Sequence, residues 1–129
     1  MKFSHVAGIL TKTDRTAKVS HCIISAGINK RDQKIPKTGV KELRSARARA
    51  RETFPAASSI YIPLVNYSED LPPNQKANLQ ALNEEIEKGH HITKLDQGDF
   101  KLDPKDSHKI HWTPETANAM LQHWLHSLN

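Results

Sequence analysis

Apolar residues along this chain alternate between two spacings, one typical of helices and one typical of strands. The helical spacing of three and four residues recurs in residues 3–12, 38–54, 74–88 and 114–128. Compact β-rich runs lie between these stretches, in residues 19–27, 58–65 and 91–95. Strict alternation of helices and strands predicts an α/β fold, in which helices cover both faces of a short parallel sheet.

Glycine, proline and threonine mark where the predicted helices begin and end. Pro55 ends the helix of residues 38–54, and Gly89 is placed to stop the next one. Thr113 is a good N-cap, with Pro114 at the first helical position. The last helix is predicted to have one continuous apolar face: Ala117, Met120, Leu121, Trp124, Leu125 and Leu128.

Length and composition restrict the class of protein. A chain of 129 residues is long enough for one domain or part of one. We therefore expect residues 1–129 to belong to a single domain. The single cysteine, Cys22, excludes an internal disulfide framework and fits a reducing compartment. Residues 1–18 make a poor secretory signal, and no apolar run approaches the roughly 20 residues of a membrane span. We expect a soluble intracellular protein that is located in the cytoplasm and has no membrane partner.

Two polar features fall at the same predicted edge of the sheet. Ligands of parallel α/β sheets sit at the carboxyl ends of the strands. Gly27-Ile28-Asn29 follows the first strand, and Asn29 could direct an amide N–H at a developing negative charge. The same three residues equally suit a simple loop turn with an Asx hydrogen bond.

His111 lies in the loop just before the last helix. The positive end of a helix dipole disfavours protonation, so a histidine there stays available as a base, with Asp103 and Asp106 as candidate orienting carboxylates. The alternative is a solvated loop histidine, in a chain that has eight histidines. His108 and His111 match no compact zinc spacing, so neither a metal nor another cofactor is predicted.

A basic block is the third feature. Nine of the 19 Lys and Arg residues lie between Lys30 and Arg51, against two acids. Five of them lie on the side of the helix in residues 37–51 that is opposite its apolar face: Lys37, Lys41, Arg44, Arg47 and Arg51. They could contact nucleic-acid phosphates, although no interleaved aromatics or zinc-finger pattern accompany them. An ordinary solvated helix face is the alternative.

The stretches IISAGINKRD and KIHWTPETANAMLQHW together resemble the SGNH (GDSL-like) hydrolase family, most closely the SGNH-like domains encoded within retrotransposons. That resemblance covers the chain from about residue 3 to its end. It implies a three-layer α/β/α fold of the flavodoxin-like kind and acyl-ester hydrolysis without a metal. It also implies Asn29 as an oxyanion-hole donor and His111 as the general base.

Two residues of the family's catalytic site are not matched in this sequence, and this changes the function that we expect. The nucleophilic serine of the family lies in a Gly-Asp-Ser block, and no Gly-Asp-Ser occurs in this sequence. The position of the family's acid, three residues before the histidine, is His108, so Asp106 is the expected substitute. We therefore expect a domain that lacks the first strands of the fold and is inactive alone.

Several partners follow from these interpretations. A small ester would be the substrate if the missing block were supplied, and nucleic acid bound through the basic helix is the alternative. Losing the neighbouring first strand would leave residues 19–27 as an unpaired edge, which predicts self-association or marginal stability.

Overall fold

The computed structural model of the protein describes residues 21–25, 37–55, 57, 59–107 and 110–128. Within these ranges strands and helices alternate in the predicted order. The elements are β1 His21–Ile23, α1 Lys37–Thr53, β2 Ser59–Pro63, α2 Pro73–Ile86, β3 His91–Ile92 and α3 Pro114–Ser127. The helix predicted for residues 3–12 lies outside the described residues.

The described strands pair in parallel, in the order β1-β2-β3. Cys22 of β1 is in register with Ile60 of β2, and Ile62 of β2 is in register with His91 of β3. Each helix between two strands provides the crossover that parallel pairing requires. The α/β class and the short parallel sheet are therefore confirmed, although the strands are shorter than predicted.

The main core lies between the sheet and the two crossover helices. Leu43, Ala46 and Ala50 of α1 are fully buried, in agreement with the helical spacing of apolar residues in 38–54. They pack in one cluster with Ile60 and Ile62 of β2 and with the apolar residues of α2: Leu79, Leu82 and Ile86. Removing each leucine from water contributes about 2 kcal/mol, so this cluster supplies much of the stability.

Side chains alternate between the two faces of a strand, so the neighbours of Ile60 and Ile62 lie on the opposite face of β2, which is less apolar. Tyr61 lies there, half-buried. Its ring stacks against His21 of β1 with centroids 6.4 Å apart, and contacts His90 edge-on at 5.7 Å. These ring contacts connect β1, β2 and the residue just before β3 on that face.

Two buried asparagines hold the chain at the carboxyl end of β2. The Asn83 amide of α2 donates to the carbonyl of Val65 and accepts from its N–H, at 3.1 and 2.7 Å. Asn66 makes the same pair of bonds with the backbone of Leu95, both at 3.0 Å. Each amide side chain takes the place of a β-ladder partner, so β2 stays aligned with α2 and with the segment after β3.

Helix α3 begins as predicted but is less buried than predicted. The Thr113 hydroxyl accepts the N–H of Thr116 at 3.2 Å, which is the N-cap bond. Met120 is buried, yet Leu121 and Leu125 are each about half exposed and Ala117 is exposed. The continuous apolar face expected for this helix is therefore only partly covered by described residues.

Candidate functional site

His111 and Asp106 form a hydrogen-bonded pair in the loop between β3 and α3. The Nδ1 atom of His111 lies 2.9 Å from Oδ2 of Asp106. The same carboxylate oxygen accepts the backbone N–H groups of His111 and Ile110, at 2.8 and 3.0 Å. Three donors converge on one oxygen, so the carboxylate is held in place while it orients the imidazole.

Exposure differs sharply between the two partners. The Asp106 side chain is 10% exposed and that of His111 is 73% exposed. A carboxylate beside Nδ1 favours the tautomer with its proton on Nδ1, which leaves the Nε2 lone pair to accept a proton. The pair therefore has the orientation that a general base requires, with the imidazole open to a substrate or to solvent.

The geometry of this pair is set by a short antiparallel ladder within the loop. Thr113 donates its N–H to the carbonyl of Lys101 at 2.9 Å, and Asp103 donates to the carbonyl of His111 at 2.8 Å. Between these bonds, Leu102 and Trp112 form an antiparallel bridge. We call residues 101–113 the dyad loop. Asp106 and His111 both belong to it, so their contact depends first on local backbone pairing.

A small cluster attaches the dyad loop to the rest of the protein. Leu95, Phe100 and Met120 are buried together, with Leu102 and Trp124 partly buried against them. The Phe100 ring also contacts the ring of Trp112 edge-on, with centroids 6.5 Å apart. These contacts join the base of the loop to α3.

The other residues of the predicted hydrolase site divide into two groups. Asn29 and His108 lie outside the described residues, so the structure gives no position for the expected oxyanion donor. The Asp103 carboxylate instead accepts the N–H of Lys105 at 2.9 Å and closes a turn. Of the two carboxylates considered from the sequence, Asp106 is the one that contacts His111.

The basic side of α1 is only partly available to a ligand. Lys41 and Arg51 are exposed, and the Arg44 side chain is 74% exposed although its guanidinium lies 3.6 Å from Glu85. Arg47 instead donates from Nη2 to the carbonyl of Ile86, at 2.9 Å.

Arg47 is half-buried at the C-terminal end of α2. A Cβ on Gly89 would come within 2.7 Å of its guanidinium carbon, so the glycine leaves room for it. Burial, followed by the nearby charge of Arg51, lowers the pKa of Arg47. The prediction that Arg47 faces solvent with the other cations is therefore wrong, because its positive charge is used at a helix carboxyl terminus.

Sequence reasoning missed Thr116, Asn66 and Asn83. Each is a buried polar residue whose partners are mostly backbone groups distant in sequence. A buried position on a helical stripe predicts an apolar residue, so a polar residue there is itself the signal that could have singled out Asn83 and Thr116.

No group of three or more histidine, cysteine, aspartate or glutamate residues suitable for a metal occurs among the described residues. Within the same residues, no helix is both long and apolar enough to cross a membrane.

Comparisons of the chain with protein-family models, with curated proteins and with solved structures find no match.

Proposed function

We propose that this chain is an SGNH-hydrolase-like domain whose dyad loop carries the base and the orienting carboxylate of an acyl-ester hydrolase site. The observation that carries the proposal is the 2.9 Å contact between His111 Nδ1 and Asp106 Oδ2. The short parallel α/β sheet is compatible with the flavodoxin-like arrangement that the resemblance implies.

The proposed chemistry assigns one role to each member of the pair. The imidazole of His111 accepts the hydroxyl proton of a nucleophile as the nucleophile attacks an ester carbonyl. Asp106 stabilises the imidazolium ion that forms, and the proton then passes to the departing alcohol. Asn29 would donate to the oxyanion, as the resemblance implies.

The nucleophile is the missing component of this site. Losing it removes the covalent step and costs on the order of a millionfold in turnover. Because the sequence contains no Gly-Asp-Ser, we propose that the chain alone does not hydrolyse esters efficiently, and that it would do so only if a longer chain or a partner supplied the serine.

Nuclear magnetic resonance of the histidine side chains tests the dyad directly. We expect His111 of the wild-type protein to show the Nδ1–H tautomer, and Asp106→Asn to lose that preference. Asp103→Asn is the matched control, because it changes a carboxylate of the same loop that contacts Lys105 instead of the imidazole. If both variants keep the Nδ1–H tautomer of His111, the proposed pair is rejected.

Hydrolysis of p-nitrophenyl acetate tests the missing nucleophile. We expect wild type and His111→Ala to differ by only a few fold, as two proteins with and without one exposed imidazole would. A His111-dependent rate far above that of free imidazole would contradict the inactivity of the chain alone.

A second candidate function is nucleic-acid binding through α1, as favoured by the exposure of Lys41, Arg44 and Arg51 on one side of the helix. Such binding would neutralise phosphates and weaken steeply with salt. Replacing these three residues by glutamine should then make the slope of log affinity for single-stranded RNA against log salt less negative by about 2.

The control replaces Lys76, Lys94 and Lys105 by glutamine, which removes the same charge from other surfaces. Equal losses in the two triple variants would reject a site on α1 and leave only a general effect of net charge.

A further inference from the structure

We propose that Thr116 is a positioning residue that sets the geometry of the Asp106–His111 pair from the far end of the dyad loop. The inference rests on the proposed function, since it concerns how that site is held. Thr116 touches neither member of the pair, and it would act through the backbone ladder of the loop.

The Thr116 hydroxyl uses all of its hydrogen-bonding capacity on the base of the loop. Its oxygen accepts the N–H of Lys101 at 2.8 Å and the hydroxyl proton of Thr113 at 3.1 Å. Its own proton is shared between the carbonyls of Lys101 and Asp99, at 3.0 and 3.2 Å. A hydroxyl offers one donor and two acceptor positions, so none is left over.

Burial makes these bonds hard to replace. Thr116 is 1% exposed, so a valine in its place would leave the Lys101 N–H facing an apolar side chain where the hydroxyl had been. A buried donor without a partner is costly, and the loop would relax to satisfy it. The hydroxyl therefore sets the position of Lys101 relative to the first turn of α3.

A shift of the Lys101 backbone would be transmitted to His111 through the backbone pairs of the ladder. Lys101 pairs with Thr113, Leu102 forms a bridge with Trp112, and Asp103 pairs with His111. Three residues beyond this last pair, Asp106 donates its N–H to the carbonyl of Asp103 at 3.0 Å. Each step is a backbone contact, so a shift at the base changes the distance between Asp106 and His111.

The choice of threonine at this position fits the proposal. Valine has nearly the same shape and would fill the same volume without any hydrogen bond. Serine lacks the methyl group and retains the hydroxyl. The two substitutions therefore separate packing from hydrogen bonding at a single site.

The test measures the tautomer of His111 and the exchange of the ladder amides in residues 1–129 of the wild type, of Thr116→Val and of Thr116→Ser. We expect Thr116→Val to lose the Nδ1–H preference and to exchange the amides of Asp103 and Thr113 about tenfold faster or more. Thr116→Ser should keep both properties close to those of wild type.

Thr53→Val is the matched control for a general loss of stability. Thr53 is also 1% exposed in a helix, and its hydroxyl donates to the carbonyl of Arg49 at 2.7 Å, within α1. We expect this variant to leave the His111 tautomer unchanged. The same tautomer loss in Thr53→Val and Thr116→Val would overturn a specific role for Thr116.

The remaining outcomes separate the inference from the proposed function. If wild type lacks the Nδ1–H tautomer, the dyad itself fails. If wild type and Asp106→Asn behave as expected but Thr116→Val keeps the tautomer, only the role of Thr116 fails. Should Thr116→Val not fold, Thr116→Ala removes the same hydroxyl without placing a methyl group where it lay, and an unchanged tautomer there would overturn the inference.

Discussion

The main core and the dyad loop are held together by different kinds of interaction. The core joins α1, β2 and α2 through apolar side chains such as Leu43, Leu82 and Ile62, all fully buried. The dyad loop is joined by backbone pairs and by one buried hydroxyl, with a cluster of three buried apolar residues beside it. Non-directional packing stabilises the first region, whereas directional hydrogen bonds determine the second.

The two regions therefore have different roles, since the main core supplies stability and the dyad loop supplies a defined geometry. Apolar packing contributes free energy but tolerates small displacements, whereas a contact of 2.9 Å between two side chains requires a defined backbone. The pair in the dyad loop belongs to a segment only 13 residues long, so its geometry can be maintained locally. The core then supplies the stability that keeps the whole segment folded.

The largest expected effect comes from creating a cavity in the main core. Leu82→Ala should lower the free energy of unfolding by about 3 kcal/mol, because it removes a fully buried side chain from tight packing. Met120→Ala in the smaller cluster should cost about 2 kcal/mol. Chemical denaturation measures both values.

Hydrogen exchange of the two variants tests whether the regions are separate. We expect Met120→Ala to accelerate exchange mainly in residues 95–128, and Leu82→Ala to accelerate it throughout the described sheet and helices. Identical exchange maps in the two variants would show that the main core and the dyad loop unfold as one cooperative unit, and would reject their separation.

A smaller effect is expected at the polar contact that joins α1 to α2. Arg47→Met retains an unbranched side chain but removes the bond to the Ile86 carbonyl and the charge at the helix end. It should lower stability by about 1–2 kcal/mol. Arg44→Met is the control and should cost less than about 0.5 kcal/mol, because that side chain is mostly exposed. Similar costs would argue that Arg47 is an ordinary surface cation.

The smallest effect concerns pH and Glu85. The hydrogen bond from Lys88 at 2.8 Å, with the charges of Lys88, Arg44 and Arg47, lowers the pKa of Glu85 below its ordinary value, against the opposing effect of desolvation. A carboxylate with a lowered pKa stabilises the fold above its unfolded-state pKa, about 4.3, and this contribution is lost as pH falls through the folded value.

Glu85→Gln should therefore cost at most about 1 kcal/mol at pH 7, and the difference from wild type should shrink as pH falls below about 5. Denaturation at pH 7, 5 and 3 measures the trend, with the exposed neighbour Glu84→Gln as control. A difference that grows towards acid would show that the sign of the pKa change is wrong.

Much of the described fold could be predicted from local patterns. The helix containing Leu43 and Ala50 was predicted to within about a residue at each end, because a long amphipathic stripe ends at Pro55. Thr113 and Pro114 likewise marked the start of α3. Strands were predicted too long, since β-rich composition continues past the last paired residue; β3 pairs only over His91–Ile92.

The candidate site was predictable in part. His111 could be singled out by its place before a helix, but spacing alone offered both Asp103 and Asp106 as its partner, and only the family resemblance favoured Asp106. The choice between them depends on the turn that Asp103 makes with Lys105 and on the N–H groups that converge on Asp106. Such choices depend on backbone direction, which residue spacing does not specify.

The sequence by itself determined the alternation of helices and strands, and hence a parallel α/β sheet, because hydrophobic periodicity and helix caps act over a few residues. It also placed a histidine in the loop before the last helix. Only the tertiary structure decided that Arg47 serves a helix terminus, that Leu121 and Leu125 stay half exposed, and that Thr116 anchors the dyad loop. These outcomes depend on groups far apart in the chain, whose meeting is a property of packing as a whole.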